Sequence, residues 1–180
     1  MKQIDGYFKY LYEYSEPFVL VPNLKIEKTV VDGKKRRKVR LIDIDGYIRF
    51  VDKAIEFLDY KNDKPIFVPV SLKFGMTEIV RLARHYIDRE YLCLWFDFEG
   101  SPVTETKVAR IRAFLGEIAE KGMFDDTVVY ATNIKREIIS NIKDDKSPAS
   151  DVLTSLAGAN LIGTNREPAR PIEPNIKWST

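Results

Sequence analysis

Five short apolar runs rich in β-forming residues, at 18–21, 66–74, 91–98, 127–134 and 161–163, alternate with segments of helical periodicity. This alternation, at roughly 30-residue spacing, constrains the fold more than any other feature. It builds parallel βαβ units with right-handed crossovers, because a parallel connection must recross the sheet and an amphipathic helix does so while covering it. Tyr7, Tyr10, Leu11 and Tyr14 behind Asp5 predict an opening helix that closes one end of the core. Asp45 caps a helix carrying Ile48, Val51, Ile55 and Leu58, which Asn62 and Pro65 stop. After Gly75, Thr77 caps a helix with Ile79, Leu82, Ala83 and Tyr86 on one face. Ser101-Pro102 is an N-cap and N1 pair for a helix with Val108, Ile111, Leu115 and Ile118. Further helices are expected around 137–142 and from Ser147-Pro148 to Gly158, a natural residue just past a helix end.

Between the first strand and its helix, residues 25–42 break the cycle. Ile26, Lys28 and Val30 alternate, Asp32-Gly33 supplies a two-residue turn, and Val39 and Leu41 return, so a β-hairpin is inserted after strand one. No G-x-G-x-x-G follows a strand and no G-x-x-x-x-G-K-[ST] occurs, which removes the fingerprints of dinucleotide and P-loop folds and favours a barrel-like arrangement. The step Ala157-Gly158-Ala159-Asn160-Leu161-Ile162-Gly163-Thr164 resembles the helix-to-strand step of (β/α) barrels of the TIM type. A full barrel takes about 250 residues and eight units; this chain shows about five. The expected fold is therefore α/β, with a parallel sheet forming a partial or reduced barrel that stands open, is completed by a second copy, or belongs to a longer protein. Residues 1–166 form one domain, and 167–180, with Pro168, Pro171, Pro174 and Trp178, an extended tail or linker.

At 180 residues, 44% hydrophobic and 31% charged, the chain can bury a substantial core. A formal charge of +2 imposes no global field that selects a nucleic-acid or membrane partner. A lone cysteine, Cys93, excludes an internal disulfide, and with a lone histidine, His85, it cannot form an ordinary zinc site. Cys93 reads as an inert core thiol and His85 as a packing or surface residue. No apolar run approaches the roughly 20 residues of a membrane span, and Met1 opens a polar segment without a signal-like core, so the expected compartment is the cytosol. The single glutamine, Gln3, beside abundant Lys, Arg, Glu and Ile is a bias also met in proteins of hot environments.

In parallel α/β folds ligands sit at the carboxyl ends of the strands, where the βα loops converge. Those ends repeat a pattern of polar, apolar, charged: Asn23-Leu24-Lys25, Ser71-Leu72-Lys73, Asp97-Phe98-Glu99, Asn133-Ile134-Lys135 and Thr164-Asn165-Arg166. Side chains alternate across a strand, so Asn23, Ser71, Asp97, Asn133 and Thr164 form one layer and Lys25, Lys73, Glu99, Lys135 and Arg166 the next outward. The result is a cationic mouth around a carboxylate pair, suited to an anionic, phosphorylated or nucleotide-derived compound. Asp97, Glu99, Lys73 and Lys135 are the candidates for acid–base work, with Lys73 and Lys135 also candidate Schiff-base lysines; Ser71, Asn133, Asn165 and Arg166 are candidate ligand contacts. No cofactor is required, although Asp97 and Glu99 are also suited to Mg²⁺. The alternative for these charges is mutual neutralisation within a scaffold.

A second element is the run Lys34, Lys35, Arg36, Arg37, Lys38 and Arg40, without which the chain would be net acidic. On a hairpin it is suited to the phosphates of RNA or DNA, or it simply keeps an edge soluble. A barrel with strand-end acids and a basic extension is broadly similar to the tRNA-guanine transglycosylase architecture, from which this chain departs by lacking that family's zinc ligands. Three functions follow: a barrel-like domain, catalytic or only binding, for an anionic small molecule; a nucleic-acid-associated protein using the hairpin; or a noncatalytic assembly subunit using its Tyr-rich start and Pro-rich tail.

Overall fold

The computed structural model describes residues 2–32, 35–58, 63–135, 155 and 157–164. Chain order is α1 (Lys2–Tyr14), β1 (Val19–Leu20), β2 (Glu27–Asp32), β3 (Lys35–Arg40), α2 (Ile44–Leu58), β4 (Ile66–Ser71), α3 (Met76–Asp88), β5 (Cys93–Ser101), α4 (Glu105–Glu120), β6 (Val128–Ile134) and β7 (Leu161–Thr164). Strands β1, β4, β5, β6 and β7 lie side by side in that order, and every pair is parallel. A sequential order with right-handed crossovers puts the connecting helices α2, α3 and α4 on the same face and curls the sheet. The result is a half-barrel, with β2 and β3 forming a separate antiparallel hairpin after the first strand. The helices expected at 137–142 and 147–156, Asn165, Arg166 and the tail at 167–180 lie outside the described residues.

The main core lies between the sheet and its helices. Val68, Val70, Leu94, Phe96, Val129 and Ala131 alternate along β4–β6 and pack with Tyr47, Val51, Leu58, Leu82, Tyr86, Phe114 and Ile118 of α2–α4. The intervening residues Phe67, Trp95 and Tyr130 belong to the opposite, inner face. There Phe18 packs against Phe67 and Tyr130, with ring centroids 4.9 and 5.9 Å apart, and the Trp95 indole donates to the Val21 carbonyl at 3.1 Å.

Helix starts differ from the sequence reading in a consistent way. Each true cap lies where the chain leaves the sheet. Asp43, not Asp45, caps α2, its carboxylate accepting from the Gly46 N–H at 2.7 Å, while Asp45 pairs with Arg81. Gly75 occupies the cap of α3 and donates its N–H to Glu78 at 2.9 Å; Thr77 is inside the helix. Thr104 caps α4, because Ser101 is still part of β5. Strand β4 is shorter than expected, ending at Ser71 before a turn through Leu72 and Lys73.

Candidate functional site

Asp97 stands near the carboxyl end of β5, in register with Ser71 of β4 and Thr132 of β6. Beyond it the regular ladder fails. The next pair is Ser101 with Ile134, so β5 carries extra residues, and between β6 and β7 the register also shifts before Ile134. The slack is absorbed by three left-handed residues, Glu99 (φ 51°), Gly100 (φ 64°) and Asn133 (φ 55°). Glycine takes this conformation freely and asparagine tolerates it, but glutamate is strained there by roughly 1–3 kcal/mol.

The strain has a visible product. Strict alternation turns Asn133 away from the face of Thr132 and Asp97; the left-handed turn brings it back, and its amide donates to one Asp97 oxygen at 2.9 Å. The Glu99 N–H donates to the same oxygen at 2.8 Å, and the Asn23 amide to the other at 3.1 Å. Asn23 is itself fixed by the buried Tyr47 hydroxyl, which donates to its side-chain oxygen at 2.9 Å. Burial holds that phenol well above its ordinary range, so Tyr47 stays a protonated donor. Two strands, the loop after β1 and one helix thus orient a single carboxylate.

Cations surround it. Lys73 reaches Glu99 at 3.6 Å, although its strand ends before it. A cavity of about 230 Å³ is lined by Asn23, Leu24, Lys25, Asp97 and Glu99. Two further cations escape a strand-end reading of the sequence: Lys107 and Arg110, on the first turns of α4. Lys107 donates to the Pro102 carbonyl at 2.8 Å and to the Ser101 hydroxyl. Burial, then the nearby Lys73 charge, lowers its pKa below that of an ordinary lysine, with Glu99 and Asp97 pulling the other way. Arg110 donates to the Leu72 carbonyl at 2.5 Å, tying α4 to the turn after β4. The usable signal was positional, since the helix after a strand starts over that strand's carboxyl end.

Other candidates are placed differently. Ser71 is fully buried and its hydroxyl accepts from the Lys73 N–H at 3.4 Å, so it shapes the turn. Lys135 is exposed and forms no ion pair among the described residues; its backbone N–H bonds Ser101. Thr164 ends β7 opposite Ile134. Lys34 lies outside the described residues, whereas Lys35, Arg36, Arg37 and Lys38 are exposed on the hairpin.

His85 joins a second cluster, far along α3 from the strand ends. Its Nε2 meets the Asp52 carboxylate at 2.9 Å, and the Tyr91 hydroxyl donates to the same group at 3.1 Å. Burial and then Asp52 push the Tyr91 phenol up to about 12. Cys93 is half-exposed rather than deep in the core, because β5 begins there, and it borders a cavity of about 390 Å³ with Tyr91, Lys64 and Arg89. Burial raises its thiol pKa, which keeps it protonated. Among the described residues no group of three or more His, Cys, Asp or Glu is placed to hold a metal, and no helix is long and apolar enough to cross a membrane.

The fold and its strand-end cluster define a half-barrel α/β domain. Compared with known protein families and with curated proteins, the chain matches none.

Proposed function

We propose that the carboxyl ends of β4–β6 bind a small anionic compound, phosphorylated or nucleotide-derived, and carry out proton transfer on it. The observation that supports this reading above all is the strained, register-shifted strand end that spends conformational energy to orient Asp97 amid Lys25, Lys73, Lys107 and Arg110. Glu90, past the end of α3, is also left-handed at φ 56°, but only at the strand ends do two such residues and a left-handed glycine stand together where the polar groups converge, the pattern of sites under functional constraint. Four cations against Asp97 and Glu99 leave a positive surplus for phosphate.

The division of labour follows from the contacts. Asp97 is oriented by three donors and keeps about one of its four lone-pair sites, so it is a fixed acceptor for a hydroxyl or amine of the bound compound. Glu99 is held mainly by Lys73. An arriving phosphate competes for Lys73 and frees the Glu99 carboxylate over the compound, where it accepts a proton. A Mg²⁺ ion on the same pair would have to displace these donors and sit beside Lys73, so the donor set suits an anion better.

Titration with inorganic pyrophosphate by calorimetry tests the reading. Lys73→Ala and Lys107→Ala should each weaken binding at least tenfold, the cost of one charge-assisted hydrogen bond, while Lys121→Ala, on the far end of α4, leaves it unchanged. Equal affinity in all three variants would sink the proposal.

A further inference from the structure

The β2–β3 hairpin takes no part in the strand-end site, yet it concentrates charge and is built as an isolated ribbon. Its register pairs Lys28 with Val39, Val30 with Arg37 and Asp32 with Lys35 on one face, and Glu27 with Arg40, Thr29 with Lys38 and Val31 with Arg36 on the other. Each face therefore carries three cations. Lys38 lies 3.8 Å from Glu27 and Arg40 is bound to Glu78, but Lys28, Lys35, Arg36 and Arg37 have no ion-pair partner among the described residues. Apart from Val39 and Glu27 the ribbon residues are exposed, Val31 to 63%, so neither face is a packing surface against this chain.

The base of the ribbon is rigid. Arg40 forks onto Glu78 with bonds of 2.5 and 2.9 Å and lies over the Phe74 ring, while the Leu41 N–H closes onto the carbonyl of the fully buried Ile26 at 2.8 Å. A rigid arm is pre-organised for a partner, because little conformational freedom is lost on binding.

We propose that the β2–β3 ribbon is a docking arm for duplex DNA, inserted in the major groove with its two cationic faces toward the two phosphate walls. With its faces toward the walls the ribbon stands on edge: its thickness with side chains, about 10 Å, meets a groove about 12 Å wide, the two strands about 4.8 Å apart stack along a depth of about 8.5 Å, and six residues span about 20 Å of the groove's length. Charge on both faces distinguishes this arm from a flat basic patch, which meets one phosphate row. The ribbon carries no aromatic residue, so it offers no platform for stacking single-stranded bases. A-form RNA, whose major groove is deep and narrow, does not admit it.

The experiment is fluorescence anisotropy of a labelled 16-base-pair DNA duplex titrated with the intact chain between 50 and 250 mM NaCl. Four unpaired cations predict a slope of log K against log salt of about −4. Arg36→Ala with Arg37→Ala should weaken binding and reduce the slope by about 2, with the urea unfolding midpoint unchanged because both side chains are exposed. The proposal is overturned if the slope is the same in the double variant, or if a duplex RNA of equal length binds as tightly as the DNA. It also falls if polyglutamate outcompetes the duplex, which would assign the arm to an acidic protein, or if Lys73→Ala with Lys107→Ala removes duplex binding that the ribbon variant retains.

Discussion

The Pro69 carbonyl is the point where stability and site geometry meet, and it yields a quantitative test. On the β1 side of β4, the Pro65 and Phe67 carbonyls accept from the Val19 and Val21 N–H groups, each at 2.9 Å. The next carbonyl on that side is Pro69, but β1 has already left the sheet. A proline fits this interior strand because the Val21 carbonyl, which an N–H at position 69 would otherwise meet, accepts from the Trp95 indole instead. Two buried phenols replace the missing strand: Tyr86 donates to Pro69 at 2.7 Å, and Tyr47, at 3.0 Å, shares its single proton between Pro69 and the Asn23 side-chain oxygen. Tyr47→Phe or Tyr86→Phe alone leaves the carbonyl one donor, and each should cost about 1 kcal/mol. Together they leave a buried acceptor with no partner, whose desolvation adds about 1–3 kcal/mol. The double variant should therefore lose about 4 kcal/mol, roughly twice the sum of the singles. Urea denaturation followed by tryptophan fluorescence reads this directly, with m unchanged across the cycle. Additivity within about 0.5 kcal/mol would refute the shared-acceptor argument. The same cycle separates stability from function: only Tyr47 holds Asn23, so Tyr47→Phe should weaken pyrophosphate binding several-fold and Tyr86→Phe should not.

Three further outcomes are expected. Burial raises the Tyr47, Tyr86 and Tyr91 pKa values, so the unfolded chain releases three protons near pH 10 that the folded chain retains. Their stabilisation is full below pH 10 and falls above it by about 4 kcal/mol per pH unit; urea midpoints flat from pH 9 to 11 would contradict this. At the left-handed Glu99, Glu99→Gly should be more stable than Glu99→Ala by about 1 kcal/mol, the reverse of the order in regular strands. If the alanine variant is the more stable, the backbone at 99 is not strained. Gly158 has φ 105°, and a Cβ there would lie 2.7 Å from Leu115 Cδ1, so Gly158→Ala should cost about 2–4 kcal/mol by thermal unfolding. An unchanged melting temperature would rule out that close approach between Gly158 and α4.

The half-barrel was legible because its signals are redundant. Each helix repeats an apolar stripe, and Leu92, Leu94 and Phe96 beside Trp95 cannot be solvated on either face, which demands a strand covered on both sides. The hairpin was legible from Asp32-Gly33 and the flanking alternation. Helix starts were not, because Asp43 and Asp45, or Ser101 and Thr104, are chemically equivalent as caps, and the choice between them depends on where the sheet releases the chain. The site was legible in part. A period of two places Asp97 and Glu99 on one face, and aligning the strand ends puts Asn133 in the layer of Asp97; the observed register sets Thr132 opposite Asp97, so regular alternation would face Asn133 away. What reunites them is a left-handed residue that is not glycine, for which the sequence carries no mark. Lys107 and Arg110 were hidden for a different reason: on a helix they read as ordinary polar positions until the helix start is placed over the rim.

Sequential strand order has a consequence that joins the two cationic elements. Because every neighbouring pair is parallel, all five strands point the same way and all βα connections leave from one rim. The β2–β3 ribbon is an insertion in the first of these connections, between β1 and α2, so it must arise on the rim that carries Asp97. The Arg40–Glu78 bond, made to the first turn of α3, fixes it there. An insertion of the same composition in an αβ connection would emerge at the opposite rim, beside Tyr91 and Cys93. The basic ribbon and the Lys73–Lys107 mouth therefore face the same region of solvent by topology rather than by chance packing, and their fields add toward any anion approaching that end of the half-barrel.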